Sequence, residues 1–124
     1  MTKDIVILLD LESTGLNTKK DRIVQLGCIL LRTKNRKNVY FSKTIYPHIP
    51  VSKYSRASQV HGISMNKIRK SDCFPIIFIE LIKWINYHIN IEWGDDRCDK
   101  KVILCAHNGF SFDFEMFIIE IIRY

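Results

Sequence analysis

Residues 5–15 read IVILLDLESTG, in which five apolar residues lead into two acidic residues and then a turn. The apolar run is rich in β-formers and too short for a helix, so it predicts a strand buried on both faces. Side chains alternate along a strand, so Asp10 and Glu12 point to one side and Leu9 and Leu11 to the other. Gly15 permits a turn and the close approach of another backbone or a ligand. The segment therefore predicts a carboxylate pair at the end of a core strand.

This acidic pair has two interpretations. The ordinary one is a strand that runs into a loop with two solvated acids. The other is a divalent metal site, because ionised carboxylates beside an apolar run need a partner that offsets their repulsion and desolvation. The pair alone does not decide between them.

Length and charge narrow the function classes. The chain has 124 residues, enough for one domain, with a net charge of +6 and a pI near 9.2, which favours polyanions such as nucleic acid or an anionic membrane. No stretch approaches the roughly 18 to 20 apolar residues of a membrane span, and the N-terminal run does not have the flanks of a signal peptide. The four cysteines have no paired CxxC spacing. We therefore expect reduced thiols and an intracellular protein, cytoplasmic or nuclear and not secreted.

The order of the remaining segments predicts an α/β fold. Strands over 22–31 and 39–46 follow the first strand after short polar loops and predict an antiparallel meander. Residues 51–73 are mixed, with short helical turns around 58–61. A helix capped by Ser71 or Asp72, with Pro75 in its first turn, covers one sheet face and ends before a polar loop at 92–99. A fourth strand, 101–106, is expected to be buried like the first and parallel to it, and a largely apolar helix fills 114–124.

A third acidic residue follows the fourth strand. If strands one and four are neighbours, Asp113 opens the last helix at the same sheet edge as Asp10 and Glu12, where ligands favour the carboxyl ends of strands. Three carboxylates there could hold one or two Mg²⁺ or Mn²⁺ ions, which suit the hydrolysis of a phosphodiester. The basic net charge fits a polyanionic substrate.

Three segments together carry a family resemblance. Residues 10–16 (DLESTGL) with 21–27 (DRIVQLG) resemble the first motif region of the proofreading-type DEDD 3′-5′ exonucleases. Residues 60–64 (VHGIS) are similar to the His-Gly-Ile-Thr segment between the motifs of that family, and 106–113 (AHNGFSFD) resembles its second motif. The resemblance covers essentially the whole chain and implies a ribonuclease H-like mixed sheet with flanking helices.

The resemblance implies a role for each matching residue. Asp10 would bind both metal ions, Glu12 one ion and the attacking water, and Asp113 the second ion. The substrate-binding residues would be those at the 3′-terminal nucleotide, with Leu16 wedged beside the base: Thr14, Leu16, His61 and Asn108. For His61 and His107 a hydrogen-bonded structural role remains an equal alternative, and Phe112 and Phe117 are interpreted as packing residues.

The resemblance also implies a third motif, with a fourth carboxylate and a His or Tyr base, which these 124 residues lack. The chain is then a fragment, a shortened gene product, or a unit completed by another chain. We expect a metal-dependent 3′-5′ exonuclease domain with DNA or RNA as partner and no membrane. The alternatives are an inactive nucleic-acid-binding remnant and a protein-interaction module. Because the last helix is apolar over most of its surface, we expect other protein to pack against it. Either a second copy of this chain or a different chain could do so.

Overall fold

The computed structural model describes residues 5–31, 37–52, 55–94, 101–107 and 112–124. Its elements in chain order are β1 (Ile5–Ser13), β2 (Ile23–Leu30), β3 (Val39–Thr44), α1 (Arg56–His61), α2 (Met65–Arg69), α3 (Phe74–Trp93), β4 (Val102–Cys105) and α4 (Phe114–Arg123). The predicted strands and the two long helices are all present. The short helix α2 was not predicted.

The strands form one mixed sheet in the order β3-β2-β1-β4. β1 is antiparallel to β2, with Asp10 opposite Gly27, and β2 is antiparallel to β3. β4 runs parallel to β1, and Cys105 at its end lies beside Leu8. The predicted meander and the predicted parallel fourth strand are confirmed. The carboxyl ends of β1 and β4 therefore meet at one edge of the sheet.

Burial differs from the prediction in β1. Its odd-numbered residues from Ile5 to Ser13 are buried, while Val6 and Leu8 are half-buried and Asp10 is exposed. The prediction of a strand buried on both faces was therefore wrong. The alternation does confirm that Asp10 and Glu12 share the side opposite Leu9 and Leu11.

β4 is also less buried than predicted. Val102, Ile103 and Leu104 are all at least 39% exposed, because β4 lies at the outer edge of the described sheet. An apolar run identifies a strand, but its burial depends on what packs beyond it. The prediction that β4 is buried like β1 was wrong.

Helix α3 covers the sheet through Ile77, Leu81 and Ile89. Its N-cap is Cys73, one residue after Asp72 and two after Ser71, the predicted caps, and it continues to Trp93 through part of the predicted loop. In α4, Met116 and Phe117 enter the core, so the predicted packing role of Phe117 is confirmed. The prediction that another chain packs on the remaining surface of α4 stays a prediction.

In the described part of the chain, no helix is long and apolar enough to cross a membrane.

Candidate active site

The site lies where β1 ends. Asp10 and Glu12 leave the strand on the same side, and the β1–β2 register shifts between Glu12 and Ser13. Such an irregularity bends a strand locally and turns the side chains beside it. Asp113 enters from the N-terminal end of α4, with helical dihedral angles and no capping hydrogen bond from its side chain. Its carboxylate is free of a capping role and only 6% exposed.

The three acids share one electrostatic environment. Burial raises the pKa of Glu12, and the charges of Asp10 and Asp113 raise it further. Burial also raises the pKa of Asp113, and the charge of Asp10 adds to this rise while His107 opposes it. Like charges that disfavour ionisation in this way must lie near one another. The charges of the three acids named from the sequence therefore act on one another, and their role as metal ligands stays a prediction.

These acids do not form a closed ligand set. Across the described ranges, no group of three histidine, cysteine, aspartate or glutamate side chains is placed so that it could hold a metal ion. The donor chemistry nevertheless fits Mg²⁺ or Mn²⁺, since carboxylate oxygens are the ligands these hard cations prefer. A cation between the acids would also offset the repulsion that raises the pKa of Glu12 and Asp113.

A cavity of about 440 Å³ opens directly beside Glu12. Its lining includes Thr14 and Leu16, whose predicted binding of substrate stays a prediction, and Leu16 is 85% exposed. Arg56 and Phe112 also line it. Its described lining residues combine apolar side chains with one arginine and one glutamate, which suits a ligand that has both a flat apolar part and an anionic part.

Sequence reasoning missed Arg56 and part of the role of Phe112. Arg56 starts α1 and lies four positions before Val60, which lines the same cavity. That i, i+4 spacing places both on one helix face, and it was a usable signal. Phe112 does pack against the core as predicted, and it faces the cavity as well.

The loop of residues 14–22, between β1 and β2, forms one wall of the cavity. The Thr14 hydroxyl donates to Asp21 Oδ1 at 2.8 Å and accepts the Arg22 N–H at 3.0 Å. The Asn17 N–H donates to Asp21 Oδ2 at 2.9 Å. A Cβ on Gly15 would lie 2.5 Å from Asp21 Oδ2. The close neighbour that Gly15 was predicted to admit is therefore the Asp21 carboxylate.

His61 has a local structural role. Its Nδ1 accepts the Ile63 N–H at 2.9 Å, at the point where the chain leaves α1 through Gly62 in the left-handed conformation. Its Nε2 is buried, with no hydrogen-bond partner among the described residues, and burial lowers the pKa of the imidazole. His61 is not among the described residues that line the cavity, so its predicted substrate contact stays a prediction. Asn108 lies outside the described residues.

The mixed sheet has the ribonuclease H-like fold, and acidic residues lie where its first strand ends. Residues 7–92 match the exonuclease family RNase_T, and the chain belongs to this exonuclease family. The matched segment contains Asp10 and Glu12 and ends before Asp113. The family resemblance found in the sequence is confirmed.

Solved structures with this fold include three nucleases. The nuclease domain of 3′hExo, a DEDDh family member bound to rAMP, has a TM-score of 0.69 and 18% identity, with 94% of this chain and 57% of that chain covered. Cell-death related nuclease 4 (CRN-4) has a TM-score of 0.64 and 18% identity, with 83% and 34% covered. Exonuclease I from Methylocaldum szegediense has a TM-score of 0.61 and 16% identity, with 92% and 22% covered. The chain thus spans less than two thirds of each of these proteins. No curated protein sequence matches the chain.

Proposed function

We propose that this domain removes nucleotides from the 3′ end of DNA or RNA by hydrolysis that depends on divalent cations. The observation that carries the proposal is the cavity of about 440 Å³ lined by Glu12, an acid whose pKa is raised by burial and by the charges of Asp10 and Asp113. The net charge of +6 supports a polyanionic substrate. Two similar structures support the proposal that nucleotides are removed from the 3′ end. One is a nuclease domain bound to rAMP, and the other shows 3′-end specific recognition of a histone mRNA stem-loop by 3′-exonuclease.

In this proposal each part of the cavity has a chemical task. Leu16, Val60 and Phe112 offer apolar and aromatic surface on which a terminal base can stack. The Arg56 guanidinium can pair with phosphate oxygens. Glu12 lines the cavity, so a reacting phosphate in it would lie next to the acid cluster.

The acid cluster would hold Mg²⁺ or Mn²⁺ through Asp10, Glu12 and Asp113. Bound there, two such ions would activate a water and neutralise charge on the reacting phosphate. Because the pKa of Glu12 and the pKa of Asp113 are raised, protons compete with the cation for these carboxylates. Cation affinity should therefore fall as the pH is lowered.

A second candidate is a nucleic-acid-binding domain without turnover. It is favoured by the lack of a three-residue ligand set among the described side chains. A third, a protein-interaction module, is favoured by the exposed apolar residues Val102, Ile118 and Ile122 on β4 and α4. Either a second copy of the chain or a different chain could cover that surface.

The test is degradation of 5′-labelled single-stranded DNA and RNA with Mg²⁺, Mn²⁺ or EDTA. Asp10→Asn removes one acid of the cluster, and Asp72→Asn is the matched control because Asp72 is exposed and lies outside the cavity. We expect a metal-dependent ladder that shortens from the 3′ end, is lost with Asp10→Asn and survives Asp72→Asn. A 3′-phosphate on the substrate should block it.

The other outcomes separate the candidates. Strand binding without a ladder, from protein shown to be folded, would replace the exonuclease with the binding domain. An oligomer or partner complex that neither EDTA nor Asp10→Asn disturbs, without strand binding, would favour the interaction module.

A further inference from the structure

Helix α4 is hydrogen-bonded to the β1–β2 loop at three positions, through Glu115, Glu120 and Arg123. Near its start, the Thr18 hydroxyl donates to Glu115 Oε1 at 2.8 Å. Near its end, Arg22 Nε donates to Glu120 Oε1 at 2.5 Å, and Arg123 Nη2 donates to the carbonyl oxygen of Lys19 at 3.1 Å. The residues joined are about 100 positions apart in sequence. The loop that forms a cavity wall and the helix that carries Asp113 are therefore one assembly.

The central contact of this assembly is a buried ion pair. Glu120 is 2% exposed and is held by Arg22 and Arg123, and Arg22 also donates to the Tyr124 hydroxyl at 2.5 Å. Burial works against the charge of Arg22, but its hydrogen bonds and charge pairing with Glu120 and Tyr124 raise its pKa overall. Apolar contacts of Met116 and Phe117 could hold a helix at several rotations, whereas a fixed carboxylate between guanidinium groups allows one.

That rotation also sets Asp113. Asp113 is the N-cap of α4 and lies seven positions before Glu120, which is about two helical turns or about 10 Å, so a rotation of the helix moves both residues. A rotation that withdrew Glu120 from Arg22 would carry the Asp113 carboxylate away from Glu12. The backbone of Arg22 also forms two hydrogen bonds with Thr14. The Arg22 N–H donates to Thr14 Oγ1 at 3.0 Å, and the Arg22 carbonyl oxygen accepts the Thr14 N–H at 2.9 Å.

We propose that Glu120, held by Arg22, is a positioning residue that fixes Asp113, the N-cap of α4, against the acids of β1. This inference rests on the proposed function, because the placement matters for cation binding. Glu120 lies seven positions after Asp113 and is not among the described residues that line the cavity. Its effect is exerted through the rotation of α4.

The test measures Mn²⁺ binding to the full chain by electron paramagnetic resonance of the free ion. Glu120→Gln should weaken Mn²⁺ binding about tenfold, at the lower end of the usual effect of residues that orient metal ligands. Glu80→Gln is the matched control, since it removes the same charge from a half-exposed residue that pairs at 3.8 Å with Lys43. It should leave Mn²⁺ binding unchanged. Arg22→Lys tests the same contact from the other side by keeping the charge and removing the planar fork.

A purely structural role predicts a different pattern. If Glu120 acts through Asp113, Glu120→Gln should cause no further loss of Mn²⁺ affinity in an Asp113→Asn background. A folded Glu120→Gln protein with unchanged Mn²⁺ affinity would overturn the inference, as would an equal further loss in the Asp113→Asn background. If the Glu120→Gln protein does not fold, the Mn²⁺ affinity of Arg22→Lys, measured alone and in the Asp113→Asn background, decides between the same outcomes. Asp10→Asn reports on the proposed function separately: if it leaves Mn²⁺ binding unchanged, the cation site itself is refuted.

Discussion

Replacing Gly15 with alanine should destabilise the fold through one identifiable contact. The new Cβ would lie 2.5 Å from Asp21 Oδ2 and 2.8 Å from its Cγ, distances that no side chain tolerates. Asp21 must then move, although its two oxygens accept hydrogen bonds from Thr14 and Asn17. Two hydrogen bonds to a carboxylate are together worth about 3 kcal/mol, which corresponds to a fall of roughly 10 °C in melting temperature for a domain of this size.

Thermal and urea unfolding followed by circular dichroism measure this cost. Gly27→Ala is the matched control, because a Cβ there meets nothing nearer than a backbone oxygen at 3.5 Å. We expect that variant to be neutral or slightly stabilising, as alanine is usually preferred to glycine within a strand. The comparison separates the local clash from the general effect of adding a methyl group.

A double-mutant cycle makes the reasoning refutable. Asp21→Ala removes the clashing carboxylate and loses the same two hydrogen bonds, so Gly15→Ala should cost almost nothing further in that background. The clash would be refuted if Gly15→Ala alone melted within about 2 °C of the wild type. It would also be refuted if the cost of Gly15→Ala were the same with and without Asp21.

Two further predictions concern titrating groups. Asp113→Asn should raise the free energy of unfolding at pH 7 in EDTA, because the raised pKa of Asp113 means that its ionised form opposes folding. This gain in stability should vanish below the ordinary pKa of 3.8, where the carboxyl is protonated in both the folded and the unfolded protein. A gain that does not depend on pH between 3 and 8 would contradict the prediction. Cys28 is 3% exposed, and burial raises its pKa to about 12. Iodoacetamide at pH 8 should therefore modify Cys28 only in unfolding concentrations of urea, whereas the partly exposed Cys73 and Cys105 should react in the folded protein. Peptide mass spectrometry measures the modification at each cysteine.

The sequence predicted the sheet well because its strands are signalled locally. Each strand is a short apolar run between polar turns, and the long connection before β4 requires a crossover. Burial was harder to predict, since the four apolar residues of β4 look the same at an edge as in the centre of a sheet. The N-cap of α3 was misplaced because Ser71, a good capping residue, instead donates its hydroxyl to the carbonyl oxygen of Lys67.

For the site, the sequence predicted the three acids but not what holds them in place. Asp10 and Glu12 were visible from strand alternation, and Asp113 from its place after β4. The attachment of α4 had no local signal, because Arg22 and Glu120 are 98 positions apart. A glutamate between isoleucines on an apolar helix reads as a solvated residue, and only the fold shows it to be buried.

The acids of the site are attached to elements of unequal strength. β1 lies inside the sheet and is hydrogen-bonded along its backbone to β2 on one side and β4 on the other. Among the described residues, the contacts that hold α4 involve side chains: its apolar face and the hydrogen bonds of Thr18, Arg22 and Arg123. Elements without backbone pairing to their neighbours open at lower free energy than central strands. In mild denaturant, Asp113 should therefore leave the site while the sheet is still intact, so that function is lost at a lower denaturant concentration than the fold.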